Sequence, residues 1–331
     1  MMQETAAKKP AGLRLDLSFV YRFSRIFVLA LLVTFMALVT PNFLTGTNTI
    51  NILRQASLSA ILALGETIVI LTAGIDLSIG AVLTMSGIVG ATVLKMDGVP
   101  LWVGVLAGVG CGALVGLLNG LMVAVVRLPA FIATYGTMWI AQGLAVVFLR
   151  GYIIYDFDKR FRFIGTGYFL DIPMPIIIMA LVFGVFWFIM HKSTLGRSLY
   201  AVGARQETAR LSGINIQRTL ILAYTFSGLC AGLAGMLFVA RLNAAEAGLG
   251  DSLLLPVIAG VVLGGTSLFG GEGGISGTVI GVIIMMIIIN GMNLLGINSV
   301  WQGPVQGAII IIAVILDQWG RRAAARQQVG G

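Results

Sequence analysis

Apolar stretches close to twenty residues long recur from one end of the chain to the other, separated by short polar breaks. About twenty apolar residues in a helix cross roughly 30 Å of hydrocarbon, so each stretch is a candidate membrane span. Ten spans are predicted, at approximately 22–40, 56–73, 79–95, 101–126, 130–149, 174–191, 219–240, 253–269, 275–295 and 303–319. The breaks carry turn residues: Pro41-Asn42, Gly74, Gly98-Val99-Pro100, Pro129, Pro173 and Gly270-Gly271. Several spans are short, and some are expected to be tilted or re-entrant. The predicted fold is all-α, a polytopic membrane protein of about ten transmembrane helices.

Glycines fall into register on two of these spans. Gly104, Gly108, Gly112, Gly116 and Gly120 stand four apart along the fourth, and Gly273, Gly277 and Gly281 do so at the start of the ninth. Four-residue spacing places them on one helix face, where a missing side chain lets another helix come close. A compact bundle is expected rather than a wide pore. Ten spans divide into five and five, and a five-span repeat is inverted across the membrane. A repeated Asn-Gly, at Asn119-Gly120 and Asn290-Gly291, is the only sequence trace of such a repeat.

Composition agrees with the pattern. The 331 residues are 58% hydrophobic and only 10% charged, whereas a soluble domain carries far more charge. The net charge of +8 belongs to loops rather than to a nucleic-acid surface. With the N-terminus inside, fourteen of the 21 Lys and Arg residues fall on the inner side and seven on the outer. That bias follows the positive-inside rule and places both termini in the cytoplasm. The loop 150–173 strains it, being basic yet assigned outside. The basic stretch Met1 to Arg25 before an apolar run has the layout of a signal peptide, but it is long and lacks a clean cleavage site. A retained first span is expected. The chain then divides into a cytoplasmic segment 1–21, a transmembrane body 22–319 with a cytoplasmic loop 192–218, and a cytoplasmic tail 320–331.

Several chemistries lack their residues. Two cysteines, Cys111 and Cys230, lie in apolar runs, and His191 is the single histidine, too few for the common zinc or iron sites. None of the five lysines closes a G-x-x-x-x-G-K-[ST] loop, so ATP-driven work would need a partner. A membrane enzyme would want clustered His, Asp, Glu or Cys at one depth, and no such cluster is visible.

Polar residues inside spans are therefore the candidates for chemistry. Glu66 sits in the middle of the second span, where a carboxylate costs roughly 2.5–3.5 kcal/mol on insertion scales. It either lines a solute pathway or is buried against a neighbouring hydroxyl or amide. Asn119, Phe131, Thr134, Gln142, Asn290, Asn293 and Gln302 are further pathway candidates, since aromatic faces and amides suit a small polar solute. Each is equally readable as helix–helix glue. Asp76 and Ser78 precede the third span and are expected to cap its N-terminus.

The densest polar patch lies between spans six and seven. In "GARQETARLSGINIQR" (203–218), Gln206 to Ser212 can form about two helical turns, with Gly213 as the C′ residue that ends them. So short a helix is marginal alone and needs something to dock on. "ETARLSG" resembles the E-A-A-x-x-x-G segment of ABC importer permeases, without the I-x-L-P ending of the general pattern. A narrower resemblance covers nearly the whole chain. "LTAGIDLSIGAV" (71–82), "NGLMVAVVRLPAFIATYGTM" (119–138), "LGRSLYAVGARQETARLSGIN" (195–215), "VVLGGTSLFGGEGGISGTVIG" (261–281) and "NGMNLLGIN" (290–298) resemble, in order, the blocks of the ribose/monosaccharide-type ABC permease family.

That resemblance implies a permease subunit of a bacterial sugar importer in the cytoplasmic membrane. It implies a second permease subunit, a homodimer by default, a cytoplasmic ATP-binding subunit and an external sugar-binding protein. No cofactor is expected in this chain, with ATP and Mg on the partner subunit. Gly203, Arg205, Glu207, Thr208, Ala209, Arg210, Gly213 and Asn215 are the expected coupling residues: Glu207 to cap or orient the helix, Arg205 and Arg210 to meet acids of the partner, Ala209 and Gly213 to allow close approach. The family pattern usually has an apolar residue where this chain has Glu66. The rival class is a transporter or channel driven by an ion gradient, for which Glu66 is the one clear mid-span carboxylate.

Overall fold

The computed structural model describes residues 17–329. The chain runs α1 (Leu17–Val39), α2 (Gly46–Leu71), α3 (Ile79–Leu94), α4 (Leu101–Ala124) and α5 (Ala130–Leu149). A folded insertion follows, made of β1 (Ile154–Tyr155), α6 (Lys159–Thr166), β2 (Tyr168–Phe169) and β3 (Ile172–Pro173). Then come α7 (Met174–Lys192), α8 (Thr194–Ala204), α9 (Gln206–Leu211), α10 (Ile216–Leu242) and β4 (Ala244–Ala245). The last helices are α11 (Leu254–Leu263), α12 (Ile275–Leu294) and α13 (Gln302–Val329). Six helices among the described residues, α2, α4, α5, α7, α10 and α12, are long and apolar enough to cross a membrane, and four shorter apolar helices accompany them. The predicted all-α, ten-span pattern is thus present, in longer and shorter pieces.

The ends differ from prediction in instructive places. α2 starts at Gly46, ten residues before the apolar run, because Thr45 caps it by accepting from Asn48 N–H and because polar Asn48 is anchored to Phe43 and Asn290. α11 stops at Leu263, six residues short of the predicted 269. Gly265 has a φ of +78°, and Gly270, Gly271 and Gly273 also have positive φ, so 264–274 is a glycine loop. Gly273 therefore belongs to that loop and not to the ninth span, while Gly277 and Gly281 do pack on α11 as their spacing implied. α1 begins at Leu17, and α13 continues to Val329 through most of the expected tail. The first sixteen residues of the expected N-terminal segment and the last two of the tail lie outside the described residues.

α2 is the central post: every residue from Ala56 to Leu71 is buried. α10 packs against α4, α3 and α2, with α12 on the other side of α2. The α4 glycine row makes this possible. A Cβ at Gly116 would fall on the backbone of Tyr224 and Gly228, and one at Gly112 on Gly228 and Gly232. α4, α5 and α7 sit at the periphery with most of their apolar surface exposed. The same neighbours recur in both halves: α4 packs on α3 and α10, as α12 packs on α11 and α2, and α3 meets α5 as α11 meets α13. This is the packing expected of a repeated five-helix unit.

Two helices begin inside the bundle. The segment 72–78 turns back from the end of α2 so that Asp76 N–H reaches Glu66 Oε1, at 3.1 Å. Glu66 lies five residues before that end, about 8 Å along the axis. From the opposite face, the segment after β4 returns until Gly250 lies on Gly80, where neither could carry a Cβ, and Gly250 N–H donates to Thr84 Oγ1 at 2.9 Å. α3 and α11 thus start head to head within the bundle. At that opposite face the basic insertion folds into a cap. β1 pairs antiparallel with β4, Phe157 and Phe161 are buried, and Gly165 lies against the backbone of Ala240 and Arg241.

Candidate functional site

The segment 203–218 is built as the sequence implied at the end of its short helix and differently at the start. Gly213, with φ +80°, donates its N–H to Arg210 O, and Ile214 N–H reaches Ala209 O, each at 3.0 Å. These two bonds are the Schellman pattern, and the left-handed residue they require is the glycine. At the other end Arg205, not Glu207, occupies the N-cap position, without a side-chain cap bond, and Glu207 lies in the first turn. Glu207 is therefore no cap, and only its place in the first turn of the helix favours it. Ala209 is 2% exposed and packs with Ala124, Val202 and Leu220, so its small side chain seats α9 on the bundle and does not face outward. Arg205, Glu207, Thr208 and Arg210 are exposed. Asn215 caps α10, accepting from Arg218 N–H at 2.9 Å. Gly203 lies where α8 crosses the end of α2, and a Cβ there would overlap Leu71 O and Gly271 N. Gly271 N–H itself bonds Leu71 O at 3.0 Å. α8, the end of α2 and the glycine loop thereby form one junction. Leu211, which composition did not single out, projects from α9 at 80% exposed.

Beside α9 lies a cavity of about 760 Å³ lined by Thr72, Gly74, Arg127, Gln206, Arg210 and Tyr224, among others. Its floor is the re-entrant segment, so the exposed face of α9 and the bundle interior share a wall.

Above that wall is a buried polar network. Asp76 Oδ1 accepts from Ser78 N–H at 3.0 Å and from Ser78 Oγ at 2.5 Å, and Oδ2 accepts from Ser227 Oγ at 2.9 Å. Asn119 Nδ2 donates to Ser78 Oγ at 2.9 Å, and Thr137 Oγ1 donates to Asn119 Oδ1 at 2.6 Å. Thr134 Oγ1 reaches Ile75 O at 3.2 Å. Ser78 does stand at the N-cap position of α3, but its side chain makes no cap bond, and Asp76 bonds no first-turn N–H of α3. The expected cap is replaced by a clamp holding the re-entrant segment to α4, α5 and α10. Glu66, Asn119 and Thr134 are each fully buried. In this structure these three pathway candidates are members of the clamp. Glu66 Oε2 and Tyr224 OH are buried without partners.

The remaining candidates separate by place. Asn290 and Asn48 exchange two amide hydrogen bonds, at 2.8 and 3.0 Å, and tie α12 to α2. Asn293 accepts from Gln302 Nε2 at 2.9 Å on an exposed turn at the far end of α12. Phe131 is exposed on α5 and stacks on Tyr135, with ring centroids 5.6 Å apart. Tyr135 meets Trp139 edge-on. Gln142 Nε2 donates to Asp251 Oδ1 at 3.0 Å. Ser227, Thr137 and Asp251 were not distinguished in the sequence: isolated hydroxyls in apolar runs carry no pattern, although the Asp-containing turns before α3 and α11 occupy matching positions in the two halves.

A ten-span bundle with broken helices, a polar clamp at their starts and an exposed short helix on one face is the architecture of a membrane permease. Residues 48–314 match the family model described as branched-chain amino acid transport system / permease component. The ribose import permease protein RbsC of Escherichia coli strain K12 is 42% identical over 248 residues, 74% of this chain and 77% of that protein. The D-allose transport system permease protein AlsC of the same strain is 37% identical over 270 residues, 81% and 82% of the two chains. The fructose import permease protein FrcC of Rhizobium meliloti is 36% identical over 308 residues, 89% and 84%. No solved structure matches. The chain belongs to the ribose/monosaccharide-type ABC transporter permease family. It is a multi-pass membrane permease subunit, a transport component and not an enzyme.

Proposed function

We propose that this chain forms the membrane path of an ATP-driven importer for a monosaccharide or a related small polar solute in the bacterial cytoplasmic membrane. The single observation that carries the coupling role is the junction at α8 and α9. A six-residue helix is exposed on nearly all its surface, yet is seated on the bundle through Ala209 and adjoins Gly203, where α8 meets α2 and the glycine loop. An ATP-binding subunit pressing on Leu211, Arg205 and Arg210 would move the ends of α2 and α11 together. ATP and Mg would reside on that subunit. The coupling face is then cytoplasmic, with both termini on its side, and the β1–α6 cap faces an external sugar-binding protein. Two copies, or one copy with a paired relative, complete the path. The relatives' names, ribose, allose and fructose import, support the solute class.

The gradient-driven alternative wants ionisable groups along a wet path. Its mid-span candidate, Glu66, is enclosed in the clamp. The test is co-purification: tagged parent chain from gently solubilised native membranes is expected to bring down an ATPase, and the Glu207→Arg, Leu211→Asp variant to lose it. A chain that comes down alone in both cases, without ATP hydrolysis, would reverse the order of the two readings.

A further inference from the structure

Asp251 is an exposed carboxylate placed where an exposed carboxylate should not be. Its partner Gln142 lies twelve residues into α5, about 18 Å along a helix about 30 Å long. An independent marker agrees. The preceding residue, Gly250, rests on Gly80 and Thr84 at the head of α3, and α3 starts three residues beyond Asp76, which is held by Ser227. Ser227 lies eleven residues into α10, about 17 Å from its start in a helix of about 40 Å. Asp251 therefore sits near the middle of the spans, on the outer surface of the subunit. An ionisable side chain at that depth faces a bundle interior or water and avoids lipid.

The surface around it has a matching character. Phe131, Tyr135, Trp139 and Gln142 recur at four, four and three residues, forming one stripe along α5 that leads to the carboxylate. The rings of that stripe are open, at 60%, 42% and 59% exposed. One carboxylate oxygen accepts from Gln142, and the other lies over Gly248, where a Cβ would be 3.1 Å away, and accepts no hydrogen bond from the described residues. Gln142 fixes the carboxylate and leaves an acceptor open beside aromatic faces.

We infer that Asp251, positioned by Gln142, is a hydroxyl-accepting contact for the transported solute on a water-filled path along the α5 stripe, the ligand class being a neutral polyhydroxylated molecule such as a sugar. Open carboxylate oxygens accept sugar hydroxyls, and Tyr135 and Trp139 offer flat surfaces to C–H faces. The inference rests on the proposed transport function, and it deepens it by naming the face and the residue.

Two readouts separate this inference from that function. In lipid nanodiscs, Asp251→Cys in a background lacking Cys111 and Cys230 is spin-labelled, with Val185→Cys on the exposed face of α7 as reference. The label at 251 is expected to be relaxed more by a water-soluble nickel chelate than by oxygen, and the label at 185 the reverse. Oxygen-dominated relaxation at 251 overturns the inference. In proteoliposomes with the ATP-binding subunit and the binding protein, uptake of radiolabelled D-ribose, D-allose and D-fructose is measured per ATP hydrolysed. For the sugar carried by the parent, Asp251→Asn and Asp251→Ala are expected to lower that ratio at least fivefold, and Gln142→Ala by less. A ratio within twofold of the parent for both Asp251 variants overturns the contact. If the parent shows no ATP-driven uptake, the functional reading falls, and the label alone decides whether position 251 lines a wet path.

Discussion

Asp76 accepts three hydrogen bonds inside the bundle, two from Ser78 and one from Ser227. Removing a buried acceptor strands its donors, each costing about 1–3 kcal/mol. Asp76→Ala is therefore expected to destabilise by more than about 3 kcal/mol, seen as a collapse of folded yield in detergent and a lower melting temperature, with Ser227→Ala much milder. Tyr224 presents the opposite case, because its hydroxyl is buried and unpartnered. Tyr224→Phe removes a desolvated group that bonds to nothing, and the melting temperature should stay or rise. A fall equivalent to about 1 kcal/mol or more would mean that the hydroxyl holds a hydrogen bond after all. Spacing marked Asp76 and Ser78 as polar residues at a helix start, and that much holds. What they bond to depends on α10 and α4, which are distant in sequence.

Among the elements, α4 shows how one helix separates two uses of glycine. Gly116 lies on the backbone of Tyr224 and Gly228, whereas nothing lies within 4 Å of a Cβ at Gly110. Helix propensity favours alanine at both sites by about 1 kcal/mol. Gly110→Ala is expected to be neutral or stabilising. Gly116→Ala should lower the melting temperature, because backbone cannot move aside as a side-chain tip can. Equal behaviour of the two variants would remove the case for close packing of α4 on α10. The same reasoning applies to α9. Its seat, Ala209, and its outward apolar residue, Leu211, have separate roles. Leu211→Asp should leave folding intact and weaken ATPase binding at least tenfold, measured by titration of the purified partner, whereas Ala209→Leu should disturb the seat itself.

At the scale of the whole molecule, α9 and the β1–α6 cap lie on opposite faces, and the proposed orientation puts only the second outside. Leu170 on the cap is 80% exposed, as is Leu211 on α9. In intact cells, a membrane-impermeant thiol reagent should modify Leu170→Cys at once and Leu211→Cys only after permeabilisation. The reverse order would invert the orientation that the basic residues imply. The loop that strained that rule, 150–173, is a folded cap with a β-ladder and a buried aromatic pair. Arg54 is engaged there by Thr166 O and by the ring of Tyr168.

Local chemistry is legible along the chain. Apolar runs of membrane length specify helices, glycines four apart specify close faces, and the Gly213 end of α9 is written in one residue. Five blocks in order specified the family. Only the tertiary structure decided which polar residues are enclosed. Glu66, Asn119 and Thr134 look from the sequence like Gln142, a polar group in an apolar run, yet the first three are enclosed at the re-entrant segment and the last is partly buried and bonds the exposed Asp251. Hydropathy records that a side chain is polar but not the direction in which its helix presents it. That direction is set by helices far apart in the chain. It also needed the fold to bring Gly250 onto Gly80, and so to place the carboxylate of Asp251 at mid-span on an open face.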